Sequence, residues 1–211
     1  FMGGRRKSTN NSKSDRIATQ TMYDLLFVMS NLTFKKNQKV AYLNYTLRMT
    51  LASQRLTHSD AFSKSLLGLV IIGIARGWKN LVKNSINELK LLVKEDQQNT
   101  SLQGYLCLSD GTDRICNGKF PGALHAFKEA EMIFHKLRNE VMWSFAIRCE
   151  LLLFYFMGKI EDGLEFISDL LPALDNIHST VAKAQILTYS IDFMESTLVS
   201  HTTEDDDWTD D

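Results

Sequence analysis

The sequence predicts an all-α fold, a right-handed α-solenoid of about four and a half antiparallel helical hairpins with a period of about 40 residues. Three observations predict it. Only Pro121 and Pro172 interrupt 211 residues, so nearly the whole chain is free to run as helix. Apolar residues recur every three or four positions, and the strict alternation of a strand is not sustained anywhere. Two kinds of helix punctuation alternate along the chain at a common spacing.

The first kind is glycine. Gly77, Gly118 and Gly158, in ARGWKNL, CNGKFPGAL and FMGKIEDGL, lie 41 and 40 residues apart. One period earlier stands Asn37, the side chain that best tolerates a left-handed backbone after glycine. These four positions read as helix C-terminal caps. The second kind is Ser59, Thr100, Asn139 and Ser179, at spacings of 41, 39 and 40. Their side chains accept hydrogen bonds from the free amides of a first helical turn, so they read as N-caps.

Taken in order, the helices are predicted at 15–35, 39–56, 60–76, 79–95, 100–116, 120–137, 140–157, 160–174 and 178–199. After Asn139 the apolar set is Met142, Phe145, Ala146, Cys149, Leu152, Leu153 and Phe156. After Gly118 it is Leu124, Phe127, Ala130, Ile133, Phe134 and Leu137, with Pro121 in the first turn, where its missing amide costs nothing. The short links imply antiparallel neighbours. A hairpin of this kind cannot bury its apolar face alone, so neighbours must stack.

The array is expected over residues 15–200, between a basic polar tail at 1–14 and an acidic tail at 201–211. Trp208 stands among the acids of TTEDDDWTDD, where it has no core to join, and is a candidate anchor for a partner. Net charge is −1, so no global field favours nucleic acid, and no nucleic-acid partner is expected. Cys107, Cys116 and Cys149 form no CxxC pair and read as reduced core thiols, which predicts an intracellular, cytoplasmic setting. The longest apolar run, Leu66 to Ala75, is half the length of a membrane span, and no transmembrane segment is expected.

Catalytic chemistry is not legible. Gly118-Lys119 and Gly158-Lys159 lack the upstream glycine and the following hydroxyl of a phosphate-binding loop, and no GxGxxG, HExxH, GxSxG or calcium loop occurs. His125 with Glu129, and Glu131 with His135, are helix-face pairs that do not share one face, so no metal site is expected. Glu161, Asp162 and Glu165 suit the positive end of a helix dipole, and the Lys79, Lys83, Lys90 and Lys94 stripe reads as a solvated face. Trp78 reads as core or staple packing. The chain is therefore read as no enzyme, with no cofactor.

A small residue recurs early in the second helix of the pairs, at Ala41, Ala123 and Gly163, with Leu81 at the corresponding place, and Tyr45 or Phe127 follows. This pattern resembles tetratricopeptide repeats, with a longer unit than their 34 residues. The strings AYLNYTLRMTLAS, GALHAFKEAEMIFHKLRNEVMW and FMGKIEDGLEFISDLL are similar to the C-terminal helical repeats of predicted ATPases linked to class III nucleotide cyclases, the soluble adenylyl-cyclase-like group. The resemblance implies a regulatory arm of a signalling protein whose cyclase or ATPase domains lie outside this chain.

The function expected on these grounds is a non-catalytic scaffold that binds protein partners, among them other domains of the same signalling protein. Its candidate contact residues are Ser63, Lys64, Gln103, Arg148 and Glu150, taken as exposed polar positions on first helices, together with Trp208.

Overall fold

The computed structural model describes residues 13–35, 38–54, 56 and 59–202. Among them the fold is all-helical, with no strand. The elements are α1 (Lys13–Lys35), α2 (Lys39–Ser53), α3 (Ser59–Ala75), α4 (Lys79–Glu95), α5 (Thr100–Cys116), α6 (Phe120–Lys136), α7 (Glu140–Phe156), α8 (Ile160–Leu170), a 3-10 helix (Leu171–Asn176) and α9 (Thr180–Thr202). Two compact units divide the chain, one ending at Ser109 and the other beginning at Asp110, so the boundary falls inside α5.

The predicted punctuation is largely present. Gly77, Gly118 and Gly158 all adopt the left-handed backbone, with φ of 70°, 69° and 66°. A residue with a Cβ would pay roughly 1–2 kcal/mol there. Arg138 adopts φ 53° at the end of α6, a left-handed turn on a side chain that does not favour it. Asn139 and Ser179 cap as expected, accepting from Met142 N–H at 3.3 Å and Ala182 N–H at 3.2 Å. Thr100 is one position off, being the first helical residue of α5 rather than its cap. Ser59 likewise opens α3. Asn37 lies outside the described residues, as do the two tails up to Lys13 and beyond Thr202.

Three helices end three or more residues from the predicted place, α9 by running on to Thr202. The expected helix over 160–174 stops at Leu170 and tightens into the 3-10 helix. Pro172 causes this, since its ring cannot follow a full α-turn and it donates no amide. The helix expected to reach residue 56 ends at Ser53, whose hydroxyl turns back onto Thr50 O at 2.8 Å.

In the first unit, α1 packs on α2, α2 on α3 and α3 on α4. Tyr23, Met49 and Ala52 form one core, joined by Leu26, Phe27, Leu56 and Ala61. Val70, Val82 and Ile86 form another, joined by Ile74 and Leu106. The Tyr23 hydroxyl donates to Ala61 O at 3.1 Å, tying α1 to α3. The α3–α4 approach needs Gly73, because a Cβ there would lie 2.7 Å from Val82 Cγ2.

In the second unit, α6 packs on α7, and α7 packs on both α8 and α9. Ala123, Ala126, Phe127, Ala130 and Phe134 bury one face of α6. Leu137, Leu152 and Phe156, members of the apolar sets that mark these helices, are exposed, because the buried stripes of α6 and α7 turn away from them.

Candidate functional site

A groove of about 240 Å³ lies between α7 and α9. From α7 it takes Arg148, Leu151, Leu152, Tyr155 and Phe156; from α9 it takes Tyr189, Asp192, Phe193 and Ser196. Arg148, Leu152 and Tyr155 are spaced i, i+4, i+7, so they share one helix face. Tyr189, Asp192 and Ser196 do the same on α9. The Arg148 guanidinium lies 5.0 Å from the Tyr189 ring centroid, within cation–π range. Burial pushes the Tyr189 hydroxyl up from its ordinary value, against the opposing pull of Arg148. The groove is thus apolar along its wall, with one cation and one carboxylate at its edge.

Of the residues expected to contact a partner, Arg148 reaches this groove and Gln103 is exposed on α5. Lys64 is half-buried, its ammonium 3.9 Å from the Phe27 ring centroid, and burial draws its pKa down. Ser63 and Glu150, expected on an exposed face, are instead buried. Glu150 stands two positions from Arg148, about 200° around the helix, so the two cannot share a face. Ser63 lies in SDAFSKSLLGLVIIGIA, a helix buried on more than one side. Trp208 lies outside the described residues.

Other expectations are corrected as well. Trp78 leaves its indole 46% exposed while its backbone N–H closes the preceding turn on Gly73 O at 2.7 Å. Cys116 is exposed, whereas Cys107 and Cys149 are partly buried. Burial pushes the Cys149 thiol up to about 12, so it is a poor nucleophile. His125 and Glu129 do form the expected helix-face pair, exposed and at 3.8 Å. Glu131 does not pair with His135; it accepts the indole N–H of Trp143, on whose ring His135 rests at 5.0 Å.

No group of three or more potential metal ligands occurs among the described residues. No described helix is long and apolar enough to cross a membrane.

Two carboxylates at helix starts, not singled out in the sequence, tie one first helix to the next. Asp60, in the first turn of α3, accepts from the Ser101 hydroxyl in the first turn of α5. Glu140, the first residue of α7, accepts His178 N–H at 2.9 Å and also Ser179 N–H, just before α9. The bonded residues are separated by 41, 38 and 39 positions, about one period. That coincidence of spacing was the signal available in the sequence.

Glu140 supports a pH prediction. The two backbone N–H bonds, His178 first, hold its carboxyl below the usual range. A depressed carboxyl pKa stabilises the fold above its unfolded value and loses that effect as pH falls through the folded one. Glu140→Gln should therefore unfold at a lower temperature than the parent at pH 7, with the gap closing in acid. A gap independent of pH in thermal melts would contradict the capping role.

No known protein family, curated protein or solved structure matches this chain.

Proposed function

We propose that the chain is a non-catalytic protein-interaction scaffold, a right-handed stack of tetratricopeptide-like helical hairpins whose first helices line the partner-binding side. The observation that carries this reading is the sequence separation of the ties between successive first helices. Tyr23 to Ala61 spans 38 residues, Asp60 to Ser101 spans 41 and Ser144 to Gln185 spans 41. Ties displaced by one repeat are what stacked hairpins make. The left-handed glycines at a matching interval support the same reading.

The α7–α9 groove is the contact surface in this proposal. Its Leu152, Tyr155 and Phe156 are 44%, 41% and 50% exposed, a cluster of large apolar side chains beside a charged rim. Interfaces concentrate their binding energy in such aromatic and arginine positions. The partners are proteins, including other domains of a signalling protein in an intracellular, cytoplasmic setting.

The test is affinity capture with the full chain and with Arg148→Glu and Tyr155→Ala, each checked for helicity by circular dichroism. Partners recovered by the parent should fall at least tenfold with either variant, about 1.4 kcal/mol of binding. Equal recovery from folded variants would remove the groove from the proposal.

A further inference from the structure

The described core contains a charged residue type that neither the scaffold reading nor the groove uses. Glu150, on α7, is 1% exposed, and its Oε1 has no hydrogen-bond partner. A buried, unpaired carboxylate is among the costliest groups a core can hold, whereas the neutral acid is far cheaper. Its electrostatic neighbours across the helix pair are Glu131 and Lys128 of α6. Arg148 and Cys149 precede it on α7. No titratable group of α8 or α9 is among the groups that act on it. Glu131 itself is engaged, accepting the Trp143 indole N–H, and the Trp143 ring meets His135. A carboxylate, an indole and an imidazole thus join α6 to α7, and the Glu150 carboxyl is buried two turns along α7 from that indole.

We propose that the α6–α7 hairpin is a proton-operated latch, closed while Glu150 is the neutral acid and loosened when Glu150 gives its proton to solvent and opposes the Glu131 carboxylate. Ionisation would place a buried negative charge across the helix pair from half-buried Glu131, with exposed Lys128 as the offsetting cation. The strain falls on the Trp143–Glu131 bond, because Glu131 can relieve the repulsion by turning outward to water. Burial, and next Glu131, push the Glu150 carboxyl up to about 8, with Lys128 opposing. The sign follows: a raised carboxyl pKa favours the closed form fully below the ordinary carboxyl range, and that advantage is lost as pH rises through about 8. Mildly alkaline pH is therefore the opening signal.

The experiment uses the full chain carrying Trp78→Phe and Trp208→Phe, so that Trp143 is the only indole. Its emission is followed from pH 6 to 9.5, with circular dichroism at each end. The expected result is a reversible one-proton change centred near pH 8, absent in Glu150→Gln. In Glu131→Gln the midpoint should move down by about one pH unit, because a neighbouring negative charge has been removed. Carbon-13 carboxyl chemical shifts give a second reading with Glu150 intact, expected at the neutral-acid value at pH 7. A carboxylate shift for Glu150 at pH 6 would overturn the latch. So would an emission change that persists in Glu150→Gln, or constant Trp143 emission while Glu150 titrates.

Discussion

Phe127→Ala should lower the unfolding free energy by about 3–5 kcal/mol, the usual cost of emptying a fully enclosed aromatic site. Phe127 is 0% exposed, and its ring fits directly against the backbone of α5 at Gly111. A Cβ on Gly111 would sit 2.6 Å from Phe127 Cε1 and 2.9 Å from Cδ1. The helices already approach as closely as the ring allows, so relaxation can fill only part of the hole. Gly111→Ala alone should cost roughly 1–3 kcal/mol by overpacking. Combined with Phe127→Ala it should cost less than the two effects summed, because the new methyl enters the vacated space. Urea denaturation followed by circular dichroism measures all three. A Phe127→Ala loss below about 1 kcal/mol would mean that the α5–α6 contact is not as described.

The second large effect is expected at Gly163. A Cβ there would lie 2.3 Å from Phe193 Cζ and within 3.0 Å of two further ring atoms. Gly163→Val should destabilise by roughly 1–3 kcal/mol, and Phe193→Leu introduced beside it should recover part of the loss. The same variant also probes the groove. Phe193 lines it, and the groove is the open space into which the ring can be displaced. Gly163→Val should therefore narrow the groove and weaken partner capture even where the protein remains folded. Unchanged denaturation midpoints would show that α8 and α9 do not meet at this glycine.

Much of this architecture could be read before any coordinates. Glycine spacing located the turns because a left-handed residue after a helix is a local requirement, met by the residue itself. Asn139 and Ser179 were legible as caps for the same reason. Burial was less legible, because it depends on which side of each helix meets a neighbour. Ser63 and Glu150 were assigned to solvent on polarity alone, yet both are enclosed. Leu152 and Phe156 keep the apolar spacing of their helix, yet both face outward, so spacing alone does not mark the buried side. The Trp143–Glu131 bond escaped because the i, i+4 spacing from Glu131 to His135 suggested a pair within one helix. Pro172 is visible in the sequence, but the helix expected over 160–174 runs through it, whereas the α-helix stops at Leu170.

The acid-to-helix-start ties also bear on how such a chain can change length. Asp60 reaches Ser101, and Glu140 reaches His178 and Ser179, so each carboxylate acts as a ruler whose far mark is a fixed number of residues away. Adding or deleting a residue within an enclosed hairpin shifts the far mark along its helix by about 1.5 Å and turns it by about 100°. Short insertions should therefore be poorly accommodated inside either measured interval. Gain or loss of a whole hairpin restores the register, so growth in complete modules is the change these rulers permit.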